Sequence, residues 1–198
     1  MKKIALYGGS FDPVHIGHLI TASNVVEDLA MDKLIFIPSN KTPLKNENLK
    51  ASNKDRYNML VKSISKNKKF SVSSYEIDKN DISYTYYTIK YFKEIYTDAS
   101  LYFIIGTDRV KDLKKWHRIS ELSKMVTFIF VARNEEKLEE IISKDTFYKE
   151  INYVILKSPV IEISSTDIRN KLKNKKNISY LVDKDCANYI EELSLYEF

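Results

Sequence analysis

Six short apolar runs, KIALYG, KLIFIPS, FSVSSYEI, SLYFIIG, MVTFIFVAR and NYVILKS, recur along the chain with helix-patterned stretches between them. Most are apolar at nearly every position and leave no face for water, so they predict strands of a sheet covered on both sides. The intervening patterns predict helices over Ile16 to Ala30, Asn53 to Ser65, Thr85 to Tyr96, a shorter pair within Arg109 to Lys124, and Glu135 to Tyr148. Two more, near Thr166 to Lys173 and Asp183 to Leu195, close the chain. Strand and helix in alternation call for parallel strands joined by right-handed crossovers. The expectation is a doubly wound α/β fold with a mostly parallel sheet, a helical C-terminal end, and ligands at the carboxyl ends of the strands. The 198 residues fit one domain, 1–198, long enough to bury a core.

Composition removes several functional classes. Apolar residues at 43% and charged residues at 30% suit a soluble globular protein and argue against disorder. The single cysteine, Cys186, excludes an internal disulfide and a cysteine-based zinc site, which predicts a reducing, cytoplasmic setting. The opening MKKIALYGGSFD makes a poor signal peptide, because its apolar run is soon broken by glycines and Asp12. No apolar run approaches the length of about 18 residues that a membrane span needs. The net charge of +5 fits a nucleic-acid partner, a phosphorylated small molecule, or lysines scattered over solvated helices. No lysine cluster is interleaved with aromatics in the manner of an RNP signature, so nucleic acid is not the expected partner.

The stretch YGGSFDPVHIGHL, Tyr7 to Leu19, holds three of the four glycines and two of the three histidines. It follows the first strand and enters the first helix. Gly8 and Gly9 are expected to let the backbone approach a ligand and to take torsions closed to other residues. Gly17 permits close packing in the first helical turn, whose free N–H groups suit an anion. His15 and His18, three apart, project from one face. Together these predict a phosphate site. The stretch is neither GxxxxGK[ST] nor GxGxxG, since two glycines are followed by seven residues and then a third. Two other readings stand beside it: a zinc site, which would want further ligands, and imidazoles that only cap or pack. The connection Ser39 to Ser52 is long, polar and basic, with Lys41, Lys45 and Lys50, and is expected to order over a ligand phosphate.

GGSFDPVHIGHL resembles the signature of the HxGH-type nucleotidyltransferases, here His15 to His18. SSTDIR, Ser164 to Arg169, is similar to the second signature of that superfamily. Taken with the chain length, the two resemble the bacterial nicotinate-nucleotide adenylyltransferases over essentially the whole chain. The resemblance implies a Rossmann-like fold and ATP-dependent adenylyl transfer to nicotinate mononucleotide, giving nicotinate adenine dinucleotide and pyrophosphate in NAD biosynthesis. It implies Mg²⁺ accompanying ATP with few protein ligands, and it allows a homo-oligomer.

Residue by residue, the resemblance implies catalytic roles for His15, His18 and Arg169. It implies an ATP site from Gly8, Gly9, Ser10, Phe11, His15, His18, Gly106, Asp108, Ser165, Thr166 and Arg169, with IIGTD on the adenosine side. It implies mononucleotide contacts from Asn40, Lys45, Thr85, Trp116 and Arg133, with Trp116 stacked on the pyridine ring. Two departures bear on the mononucleotide side. Leu44 stands where the family loop often has histidine, and Asn134-Glu135 follow Arg133 where a glycine is frequent. Each residue also has a purely structural reading: Trp116 as a core aromatic, Thr85 as a helix cap, SSTDIR as a helix start. Pantetheine-phosphate adenylyltransferase shares both motifs but is typically shorter. A nucleotide sensor without turnover is disfavoured by the intact His15, His18 and Arg169.

Overall fold

The computed structural model describes residues 1–41, 49–132, 135–159 and 161–197, with backbone alone at 135–137. Lys45, Leu44 and Arg133 therefore lie outside the described residues, as does most of the connection expected to order over a phosphate. In chain order the elements are β1 Lys2–Gly9, α1 Ile16–Asp28, β2 Lys33–Pro38, α2 Asn53–Ile64, β3 Phe70–Val72, α3 Tyr75–Asp78, α4 Thr85–Ile95 and β4 Ala99–Gly106. They continue as α5 Thr107–Val110, α6 Ile119–Met125, β5 Thr127–Ala132, α7 Glu135–Ser143, β6 Tyr153–Lys157, α8 Ser165–Lys173 and α9 Lys184–Glu192. The six strands form one sheet in the order β3-β2-β1-β4-β5-β6. Every pairing is parallel.

Alternate side chains of the central strands feed two separate cores, which is why the strands read as continuous apolar runs. Ile104, Ile129 and Val131 join α1, α2, α8 and α9 on one face through Val25, Met59, Ile168 and Ile190. Leu6, Phe103, Phe128 and Phe130 meet Ile89, Phe92 and Leu122 of α4 and α6 on the other. At about 25 cal/mol per Å² of apolar surface removed from water, this two-sided burial is the main stabilising contribution.

The order of strands reverses between β1 and β4, and there the pairing stops early. β1 pairs with β4 from Lys2 opposite Ala99 to Leu6 opposite Phe103. Beyond that point Tyr7, Gly8 and Gly9 pair with β2, whereas Ile104, Ile105 and Gly106 pair with β5. The two central strands therefore part at their carboxyl ends and open the crevice that a doubly wound sheet offers to ligands.

One expected strand is much shorter than its apolar run. FSVSSYEI pairs with β2 only over Phe70–Val72, and the chain then turns into α3. Ser74 Oγ donates to Asp78 Oδ2 at 2.6 Å, and Tyr75 stacks on Tyr91 of α4 at 3.9 Å between centroids. Side-chain bonds of serine favour a turn here, and the stack draws the segment off the sheet edge.

Candidate active site

The crevice has a volume of ≈ 220 Å³ and is lined on its two sides by the parted strand ends, Tyr7 to Gly9 and Ile104 to Gly106. Ser10, Ser39, Glu76, Ser83, Thr85, Asp108, Arg109 and Trp116 complete its wall. Seven residues expected from the sequence, Gly8, Gly9, Ser10, Thr85, Gly106, Asp108 and Trp116, thus share one cavity. Trp116 is half-buried and meets Phe103 edge to face at 5.8 Å, so it is both a core aromatic and a cavity wall. Thr85 is the first residue of α4, where Tyr84 as N-cap supplies no side-chain hydrogen bond, leaving the helix end without a cap. Asn40 is buried and bonded within the protein. Its Nδ2 donates to the Asp81 carbonyl at 3.0 Å, and its Oδ1 accepts from Asn53 Nδ2 at 2.9 Å.

The glycines act by their lack of a side chain, not by their torsions. No glycine has a positive φ, which corrects the expectation that Gly8 and Gly9 take torsions closed to other residues. The left-handed residue of the turn is Phe11, at φ 48, with Asp12-Pro13 cis immediately after it. A Cβ on Gly9 would stand 2.9 Å from the Phe11 ring, and one on Gly106 would stand 2.8 Å from Asp108 Oδ1. Phe11 itself is only 1% exposed, so its side chain belongs to the core and only its backbone can face a nucleotide.

His15 and His18 form a pair with the Gly17 hydrogen as its spacer. Their rings stack at 3.7 Å between centroids, and the His15 N–H donates to His18 Nδ1 at 3.3 Å. An Nδ1 that accepts carries no proton, so the neutral ring carries it on Nε2, which is then a donor. A Cβ on Gly17 would stand 3.1 Å from His15 Nδ1. The start of α1 offers fewer amides than expected, because Ile16 N–H donates to the Leu181 carbonyl at 2.9 Å and His18 N–H to the His15 carbonyl at 2.9 Å. An anion at this loop would meet side chains more than the helix end. The zinc reading finds no support, since no group of three His, Cys, Asp or Glu stands together among the described residues.

The second motif meets the first directly. Ser164 caps α8 by accepting from the Asp167 N–H at 3.1 Å. Ser165 Oγ donates to the Pro13 carbonyl at 2.8 Å, and Arg169 Nη1 donates to the Asp12 carbonyl at 2.7 Å. Arg169 Nη2 donates to Thr166 Oγ1 at 3.0 Å. Guanidinium has five N–H donors, so others remain for a ligand.

Three buried charged residues around the crevice and its first loop were not singled out from the sequence. Arg56 is 0% exposed and donates to the carbonyls of Ser10 at 2.6 Å and Ser39 at 2.7 Å and to Asn53 Oδ1 at 2.7 Å, bracing two walls of the crevice. Burial lowers its pKa, and the nearby Asp12 carboxylate offsets part of that. Glu76, which lines the cavity, accepts from Thr88 Oγ1 at 2.6 Å, and burial pushes its carboxyl pKa up. The third is Asp12, buried with its carboxylate bonded on both oxygens.

Residues 6–171 match the model of the cytidylyltransferase-like family. A probable nicotinate-nucleotide adenylyltransferase of Clostridium novyi (strain NT) is 38% identical over 200 residues, covering 100% of this chain and 100% of that protein. A protein of the same description from Staphylococcus epidermidis is 41% identical over 195 residues, covering 98% of this chain and 97% of its own. The solved structure of Plasmodium falciparum nicotinic acid mononucleotide adenylyltransferase complexed with NaAD superimposes with a TM-score of 0.79 at 23% identity, over 100% of this chain and 98% of that one. That last likeness establishes the shared fold.

Proposed function

The chain belongs to the cytidylyltransferase-like family and, within it, to the nicotinate-nucleotide adenylyltransferases, and from that premise we propose which of its residues carry the reaction. The reaction is transfer of the adenylyl group of ATP to nicotinate mononucleotide, giving nicotinate adenine dinucleotide and pyrophosphate. The attacking 5′-phosphate is already an anion and needs no general base. Catalysis therefore reduces to holding the two nucleotides in line and stabilising charge on the triphosphate as it reorganises.

The observation that carries the assignment is the His15 N–H bond to His18 Nδ1. It fixes the His18 tautomer with Nε2 protonated, which makes the ring a neutral donor toward the α-phosphate. His15, stacked on it, holds its plane. Arg169, Thr166 and Ser165 would meet the β- and γ-phosphates, where guanidinium can grip two oxygens at once. Gly106 and Asp108 on one side of the crevice suit the adenosine, and Thr85 and Trp116 suit the pyridine. Lys45 and Arg133 are assigned to the acceptor phosphate on the family resemblance alone. Mg²⁺ would enter with ATP and supply charge neutralisation on the triphosphate, held by the nucleotide and not by a protein ligand set, since no group of three His, Cys, Asp or Glu stands together among the described residues.

The test is to incubate the protein with Mg-ATP and a panel of phosphorylated acceptors and to detect pyrophosphate. Release with nicotinate mononucleotide and little with phosphopantetheine is the expected result. The reverse order would overturn the assignment.

A further inference from the structure

Asp12 is 3% exposed and its carboxylate is a junction of three segments. Oδ2 accepts from the Lys50 N–H at 2.7 Å, and Oδ1 accepts from the Ala51 N–H at 3.0 Å and from the Tyr196 hydroxyl at 2.7 Å. The backbone carbonyl of the same residue accepts from Arg169 Nη1 at 2.7 Å. Tyr196 lies in the turn after α9 and is itself 5% exposed. Its backbone sits at φ 70, a left-handed conformation that tyrosine rarely adopts. A residue held in that region against its preference is kept there by its surroundings, and such positions cluster at functional sites. Burial beside Asp12 raises its pKa, so the hydroxyl stays protonated and donates.

A phenylalanine would fill the same core space, and the hydroxyl's partner is the carboxylate in the β1–α1 loop. We propose that Tyr196 is a positioning residue for adenylyl transfer: by fixing the Asp12 carboxylate it fixes the carbonyl of the same residue, and through that carbonyl the guanidinium of Arg169. The proposal rests on the reading that Arg169 grips the triphosphate of ATP. Tyr196 touches no reacting atom.

The test uses the full chain with Tyr196→Phe, Arg169→Ala and the double variant. Tyr196→Phe should lower the unfolding midpoint modestly and leave a folded chain, since Asp12 Oδ1 retains the Ala51 N–H. It should raise KM for ATP by about tenfold, the scale of one hydrogen bond to a charged group, with KM for the mononucleotide changed far less. Exchange of the Lys50 and Ala51 amides should quicken. The double variant should lose little more than Arg169→Ala alone, because the two act through one grip. Unchanged KM for ATP in Tyr196→Phe, or losses that add in full, would overturn the proposal. If Arg169→Ala raises KM for ATP and Tyr196→Phe does not, the assignment of Arg169 stands and only the role of Tyr196 falls. If Arg169→Ala leaves KM for ATP unchanged, both fall.

Discussion

The imidazoles of His15 and His18 stack face to face at 3.7 Å, while the backbone N–H of the first donates to Nδ1 of the second at 3.3 Å. Two demands on His18 are thereby separated: Nδ1 caps the helix, and Nε2 is left with the proton. His18→Asn keeps an acceptor near the Nδ1 position and removes the Nε2 donor. It should fold with an unfolding midpoint near that of the parent and turn over about 10²- to 10³-fold more slowly, as loss of one oxyanion-type donor does. His18→Ala should lose the same activity and some helix stability besides. Near-normal turnover in either variant would remove His18 from the mechanism.

Gly17→Ala probes the geometry of the same pair without touching its chemistry. The new methyl would stand 3.1 Å from His15 Nδ1 and 3.2 Å from its Cε1, so the ring must shift. Alanine is otherwise the better helix residue, so stability should change little. Turnover should fall by about tenfold, less than the 10²-fold cost of a 1 Å misplacement, because the ring need give by only a few tenths of an ångström. A fully active alanine variant would show that the stack is not needed.

The proposed pyridine contacts, Thr85 and Trp116, predict which acceptor the site prefers. A carboxylate only accepts hydrogen bonds, whereas a carboxamide also presents two donors, so an uncapped helix end favours the acid. Nicotinate mononucleotide should be used with a kcat/KM on the order of 10² or more above that of the amide, because donors left unpaired are costly. Trp116→Ala should weaken both substrates by a similar factor and leave the ratio intact. A ratio that collapses with the tryptophan would move the source of specificity from the helix end to the ring stack.

Alkaline pH should weaken the fold from one end of the chain. Burial pushes the Cys186 thiol up to about 12 and raises the Tyr196 hydroxyl as well. Both groups hold their proton more tightly when folded. Their contribution is therefore complete below the unfolded values of about 8.5 and about 10, and is lost as pH rises through those values toward the folded ones. Denaturation midpoints measured from about pH 8 to about pH 11 should fall with a slope of that sign. Cys186→Ala should lower the midpoint at neutral pH by creating a cavity, yet flatten the alkaline slope. An unchanged slope would show that another group sets it.

Much of this was legible before any coordinates. Apolar continuity announced a two-faced sheet, and the two signatures meet as the family resemblance implied, with Ser165 and Arg169 on the carbonyls of Pro13 and Asp12. What escaped was decided by tertiary contact. Arg56 reads as one more surface cation in NKDRYNML, and nothing local reveals that the carbonyls of Ser10 and Ser39, from two other segments, close around it. The left-handed torsion fell to Phe11 instead of a glycine, because burial of its ring outweighs the backbone cost there. The amide of Ile16 looked available until Leu181 supplied its acceptor.

Those distant partners bear on the order in which the fold assembles. The β1–α1 turn is a local element, yet its bonds are completed by Ser165, Arg169, Leu181 and Tyr196. The contact between Asp12 and Tyr196 spans 184 residues. A folding chain can lay down β1 and α1 and still lack the acceptor that ties down the helix start and the arginine set beside it. Contacts so far apart in sequence are slow to close, so a chain that has formed its local elements carries the whole first signature before it has the geometry to use it.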